Sequence, residues 1–300
     1  MKTLRLYGAG LLVALLLALA ACGTSGGGGG ATWTPRASWT TNYLSGVAYV
    51  NGTFVAVGDR GTILTSPNGA TWTPRTSGTG NSLLGVAYGN GTFVAVGDRG
   101  TILTSPNGAT WTLRTSGTSR YLSGVTYVNG TFVAVGDGGT ILTSPNGATW
   151  TPRTSGTGNS LLGVAYGNGT FVAVGPGTIL TSPDGVTWTL RTSGTGYGLN
   201  GVTYGNGLFV AVGWNGTILT SPNGVTWTPR TSGTGNRLFD VTYGNGLFVA
   251  VGDFGAILTS PDGVDWTAQT SGTSNLLSGV AYGNGLFVAV GDRGTILTSP

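Results

Sequence analysis

The side chains able to do chemistry in this sequence are few. It contains no histidine, and all nine acidic residues are aspartate. Without an imidazole or a glutamate, the usual proton shuttles and raised-pKa general acids are missing. Lys2 is the one lysine and Cys22 the one cysteine, so no thiol pair can form a disulfide within the chain. Asp59, Asp98, Asp137, Asp253 and Asp292 stand beside glycine at a recurring step, the setting of turn caps. Calcium needs roughly six to eight oxygens, and nothing concentrates them; no metal or cofactor is expected. Two aspartates could in principle make the carboxylate pair of a glycoside hydrolase, a minor alternative. The remaining chemistry is recognition by arginines and aromatic rings, the side chains that carry most energy at interfaces.

Those residues need a scaffold, and composition says what kind. Of 300 residues 58 are glycine, 39 % are hydrophobic and only 7 % are charged. That is too apolar for a disordered chain, and glycine lacks the collagen period. The formal charge of +4 includes Lys2 and Arg5, and the remainder is too dispersed to argue for nucleic acid. Residues 1–21 read as an export signal: Lys2 and Arg5 precede an apolar run, Leu11 to Leu19, too short to span a bilayer. Leu19-Ala20-Ala21-Cys22 resembles the lipobox of bacterial lipoproteins, which implies that Cys22 is acylated after cleavage before it. Several acyl chains would anchor the protein firmly, at about 0.8 kcal/mol per buried methylene. Residues 22–30 are then the lipidated cysteine and a glycine-rich tether. The expected location is the periplasmic or extracellular side of a bacterial membrane.

Residues 31–300 are one repeat. Trp33, Trp72, Trp111, Trp150, Trp188, Trp227 and Trp266 mark seven copies about 39 residues apart, with Tyr and Phe recurring in the same frame. In the copy from Asn81 to Gly117, Leu83–Tyr88, Thr92–Gly97, Thr101–Ser105 and Ala109–Thr115 read as strands. Asn90-Gly91 and Asn107-Gly108 between them read as two-residue hairpins. Four strands per copy of this length predict an all-β, seven-bladed β-propeller. The chain enters on a lone fourth strand, Ala31–Arg36, and leaves on a third strand, Thr295–Pro300. Pairing these halves closes the ring and hides both edges. A β-solenoid is the rival architecture, but it explains neither the hairpins nor the complementary ends.

Ser182-Pro183-Asp184-Gly185-Val186-Thr187-Trp188 resembles the Asp-box, or bacterial-neuraminidase repeat, and Ser260 to Trp266 matches it equally. Four copies carry Asn68, Asn107, Asn146 or Asn223 instead, and each is one residue shorter than the usual pattern. The resemblance implies a propeller related to sialidases, sortilin-like receptors and the photosystem II assembly and stability factor. Sialidases resemble one another in a glutamate-activated tyrosine nucleophile, which a chain without glutamate lacks. The Asp-box is expected to build turns rather than bind ligands.

Comparison of the copies locates the candidate site. Loops between blades and turns between second and third strands share one propeller face; the hairpins share the other. The hairpins are nearly uniform, whereas the first face differs from blade to blade. Within residues 31–300 all seven aromatics outside the repeating frame fall on it: Trp39, Tyr43, Tyr121, Tyr197, Trp214, Phe239 and Phe254. Arg60, Arg99, Arg120, Arg237, Asp240 and Arg293 join them as candidate partner-binding residues. Loops also vary for lack of constraint, but the opposite loops have not. The expectation is a non-catalytic, monomeric envelope lipoprotein that uses this face as a binding or assembly scaffold for a protein. A lectin is the alternative, since Trp39, Tyr197 and Trp214 could stack on sugar faces. Arg36, Arg75, Arg114, Arg153, Arg191 and Arg230 recur on the outer strand and are expected to keep its edge soluble, with a basic rim for anionic lipid or wall polymer as the alternative.

Overall fold

The computed structural model describes residues 32–300; the expected export signal, the expected acylation site Cys22 and the expected tether lie outside the described residues. Seven four-stranded antiparallel sheets follow one another along the chain. Blade 1 consists of Leu44–Val50, Thr53–Gly58, Thr62–Ser66 and Thr73–Arg75. Blades 2, 3, 4, 5, 6 and 7 begin their first strands at Leu83, Leu122, Gly163, Leu199, Leu238 and Leu277. First strands of successive blades touch in a closed circle, and that of blade 7 meets that of blade 1. They line the central channel. The circle is tight: a Cβ on Gly201 would lie 2.8 Å from the Phe239 carbonyl oxygen of the next blade, so glycine permits the approach.

The two chain ends complete blade 7. Thr34–Pro35 pairs antiparallel with Ile296–Ser299, Thr34 opposite Thr298 and Pro35 opposite Leu297. The Arg36 N–H extends the ladder to the Ile296 carbonyl at 2.9 Å. Trp33, 6 % exposed, packs into the blade 7 core beside Leu277 and Phe287. The regular strand is shorter than Ala31–Arg36, but the closure is as expected.

Each second strand is a continuous apolar run because its sheet is covered on both faces. In blade 1, Phe54 and Ala56 pack with Val288 and Val290 of blade 7, while Val55 and Val57 face Leu83 and Phe93 of blade 2. The period of two thus distributes one strand between two interblade cores. Phe54 is fully buried, with the Tyr49 ring centroid 4.5 Å away and that of Trp72 at 6.3 Å.

The two Asn-Gly signals differ in structure. Asn90 and Gly91 both adopt left-handed backbone, φ 48° and 73°, as a two-residue hairpin requires. At Asn107-Gly108 only the glycine does so. Asn107 instead turns its side-chain oxygen back to accept the N–H groups of Ala109 and Thr110 at 2.9 and 3.0 Å. The Ser105 hydroxyl accepts the Gly108 N–H, and the Trp111 indole donates to the Gly108 carbonyl. This wider turn consumes residues expected in the strand, which spans only Thr112–Arg114.

Candidate binding face

The turn between second and third strands sits against the start of the first. In blade 1 the Asp59 N–H donates to the Tyr43 carbonyl at 2.9 Å, and five other blades repeat the bond. Blade 4 has Pro176 at that place, and proline has no N–H to give. Its first strand starts at Gly163, two residues after Leu161, the equivalent of the leucine that starts the other six, and its pairing shows no bulge. In the other six blades a β-bulge follows the leading leucine, leaving Ser45, Leu84, Ser123, Asn200, Phe239 or Ser278 without a cross-strand partner. Bulges re-aim side chains. These six residues, with Leu162 of blade 4, line a channel of about 210 Å³. The variable bulge positions therefore converge on the channel.

The expected turn caps are not general. Only Asp292 accepts a backbone N–H within its turn, from Arg293 at 2.8 Å. The other carboxylates influence one another around the mouth. Burial raises the Asp98 carboxyl above the usual range, and Asp59 adds to the shift while Arg99 opposes it. Burial also pushes up the Tyr43 phenol.

Blades 5 and 6 hold the densest cluster. The Arg237 guanidinium lies between two rings, 4.9 Å from the Trp214 centroid and 4.5 Å from that of Phe239. Its Nη2 donates to the Asn200 side-chain oxygen at 2.9 Å, and the Trp214 indole donates to the same oxygen at 3.3 Å. Asn200 is held in turn by its own bond to the Leu238 carbonyl. Trp214 packs over Gly198, its indole 3.5 Å from where a Cβ would stand, an ordinary van der Waals contact. Two cation–π contacts, each worth about 0.5–2 kcal/mol, and a shared acceptor fix the guanidinium before any ligand arrives. Burial works against its charge and Asp253 supports it. Beside it opens a pocket of about 430 Å³ lined by Tyr197, Trp214, Asn215, Arg237, Asp253 and Phe254. Phe254 is 75 % exposed and has left-handed backbone, φ 55°, where bulky residues are strained.

The other candidates disperse. Trp39 and Arg60 share a groove on blade 1. Arg120 lies over the turn of blade 3, its Nη1 only 2.2 Å from where a Gly138 Cβ would stand, and Tyr121 is exposed beside it. Arg99 belongs to the turn of blade 2, and Arg293 forms an exposed ion pair with Asp292 at 3.8 Å. Asp240 is not on the face but in the channel wall. It replaces a glycine of the other six blades and accepts the N–H groups of Val241 at 2.8 Å and Val280 at 3.0 Å. Its second bond reaches blade 7. Burial raises its carboxyl to about 6. Asn200, the organiser of the cluster, is missing from the sequence-derived candidates; its one signal is a polar amide at a channel position filled elsewhere by Ser, Leu or Phe.

Neither a family model nor a curated protein matches this chain. Solved structures do. YCF48 bound to D1 peptide is 17 % identical with a TM-score of 0.75, over 89 % of this chain and 94 % of that one. YCF48 from Cyanidioschyzon merolae is also 17 % identical, TM-score 0.73, over 89 % and 98 %. Virginiamycin B lyase from Staphylococcus aureus is 13 % identical, TM-score 0.78, over 90 % and 98 %. A lyase thus shares the fold with a peptide-bound protein, so the propeller alone does not separate catalysis from binding. At these identities the likeness carries the architecture only: this chain is a seven-bladed, four-stranded β-propeller closed by its own ends.

Proposed function

We propose that this chain is a non-catalytic binding scaffold, exported and lipid-anchored at Cys22 in the bacterial envelope. It grips a peptide segment of a protein partner at the mouth of blades 5 and 6. The observation that carries the reading is Arg237, clamped between Trp214 and Phe239 at the edge of an open pocket. A guanidinium ordered in advance and exposed rings that have little conformational entropy to lose are the ingredients of an interface hot spot. The variation between blades suits one large asymmetric partner better than seven equal sugars. That YCF48, a protein of the same fold, is seen with a peptide supports the choice of ligand class. The absence of glutamate and histidine supports a role without chemistry. The test is capture from envelope extract, in parallel with a glycan array, using wild type and a Trp214→Ala variant. One protein retained by wild type and lost by the variant is expected. Array signal lost by the variant would favour a lectin, and identical capture by both proteins would refute the site.

A further inference from the structure

We infer that the outer rim of the variable face is a separate binding site for a linear acidic polysaccharide. The rim arginines are built to present charge. Arg36, Arg75, Arg114, Arg153, Arg191 and Arg230 each donate Nε to a threonine hydroxyl of the third strand at 2.8–2.9 Å. In blade 6 Gln269 makes the same bond to Thr259 at 2.9 Å. The bond therefore needs a donor of the right length, not a cation, and the six positive charges are surplus to the fold. No carboxylate neutralises them: among the described residues the one ion pair is Arg293 with Asp292. Of the turn aspartates, Asp292 pairs with Arg293 and Asp253 lines the pocket beside Arg237.

Three of these arginines line grooves of about 520–570 Å³ on blades 1, 3 and 5. Each groove adds a residue from the variable loops. Arg75 is joined by Arg60 and Trp39, Arg153 by Arg120, and Arg230 by Tyr197. Trp39 is 78 % exposed and takes a left-handed position, φ 59°, that the other six copies give to glycine. A fixed guanidinium with free terminal nitrogens matches a carboxylate or sulfate in two parallel bonds. A flat indole or phenol beside it matches the CH face of a sugar ring. Similar grooves repeated around a rim favour a ligand that is itself a repeat, because each engaged groove raises the effective concentration at the next. Duplex DNA offers charge but no exposed sugar face to Trp39.

The proposal shares Tyr197 with the peptide pocket but rests on the rim arginines and Trp39, and one binding experiment that leaves Tyr197 intact separates the two readings. Full-length protein carrying Cys22→Ser, which removes the proposed acyl anchor, is titrated with polygalacturonate, neutral dextran, phosphatidylglycerol vesicles and duplex DNA at several salt concentrations. Wild type is expected to bind polygalacturonate, with affinity falling as salt rises, and not dextran. Arg75→Gln/Arg153→Gln/Arg230→Gln, which retains the threonine bond as Gln269 does, is expected to bind about tenfold or more weakly. Its log–log salt slope should fall by roughly 2, from the loss of three anion contacts. Trp39→Gly should weaken binding several-fold, while Trp214→Ala should leave it unchanged. The proposal is overturned if polygalacturonate is not bound or the triple variant binds it like wild type with an unchanged unfolding midpoint. Binding of DNA or vesicles as tight as polygalacturonate, together with no effect of Trp39→Gly, would also overturn it in favour of unspecific charge attraction.

Discussion

Replacing Asp240 by glycine, the residue of the other six blades, isolates the cost of a carboxylate in the channel wall. Its carboxyl lies at about 6 against an ordinary 3.8, raised by burial and held down by two backbone N–H groups. Because the folded pKa is the higher one, the folded state binds more protons between these values, so stability falls as pH rises through the window. At about 1.4 kcal/mol per unit, wild type should lose about 2–3 kcal/mol relative to Asp240→Gly between roughly pH 4 and pH 7. For a domain of this size that moves the difference in unfolding midpoints by roughly 5 °C or more. The assay is thermal or urea unfolding of both proteins across that range, read as a difference so that the remaining carboxylates cancel. Parallel curves, with a gap independent of pH, would refute the placement of an ionisable, buried Asp240 between blades 6 and 7.

Other consequences are testable on the same footing. Trp33→Ala should destabilise the protein by about 3–5 kcal/mol in urea unfolding, because Trp33 fills the blade that the chain ends close. Trp39→Gly should raise stability by about 1 kcal/mol by relieving left-handed backbone at an exposed tryptophan, whatever it does to binding. Asp184 and Asp262 have carboxyls lowered by N–H groups of their own turns. Their contribution is present above the unfolded pKa and fades as pH falls through the lower folded one, so Asp184→Asn/Asp262→Asn should flatten the acid limb of a stability profile. Near neutral pH the double variant should differ little, since Asn68 makes the same turn bonds to Ala70 and Thr71.

Much of the fold is readable from residue types alone. Tryptophan spacing counts the blades, Asn90-Gly91 places a hairpin through its tolerance of left-handed backbone, and complementary ends imply closure. Asn107-Gly108 looks the same in sequence but folds as a wider turn, because Ser105 two residues earlier supplies a hydroxyl for the glycine N–H. The face on which the copies differ is also legible in the sequence, through the aromatics outside the repeating frame. The geometry within it is not. Bulges at Asn200 and Phe239 depend on register between strands, and the clamp on Arg237 joins residues from two blades. Asp240 sits next to a bulge, so its direction could not be read from strand alternation, and it entered the candidate set as a surface residue.

The central claim is that the mouth of blades 5 and 6 receives a peptide. Hydrogen exchange on the protein with and without a binder selected from a random peptide library tests it most directly. Protection is expected over residues 195–200, 213–217 and 235–239 and the turn at Phe254, and should vanish in Trp214→Ala. Protection centred on the Asn-Gly hairpins of the opposite face, or a footprint unaltered by that substitution, would contradict it.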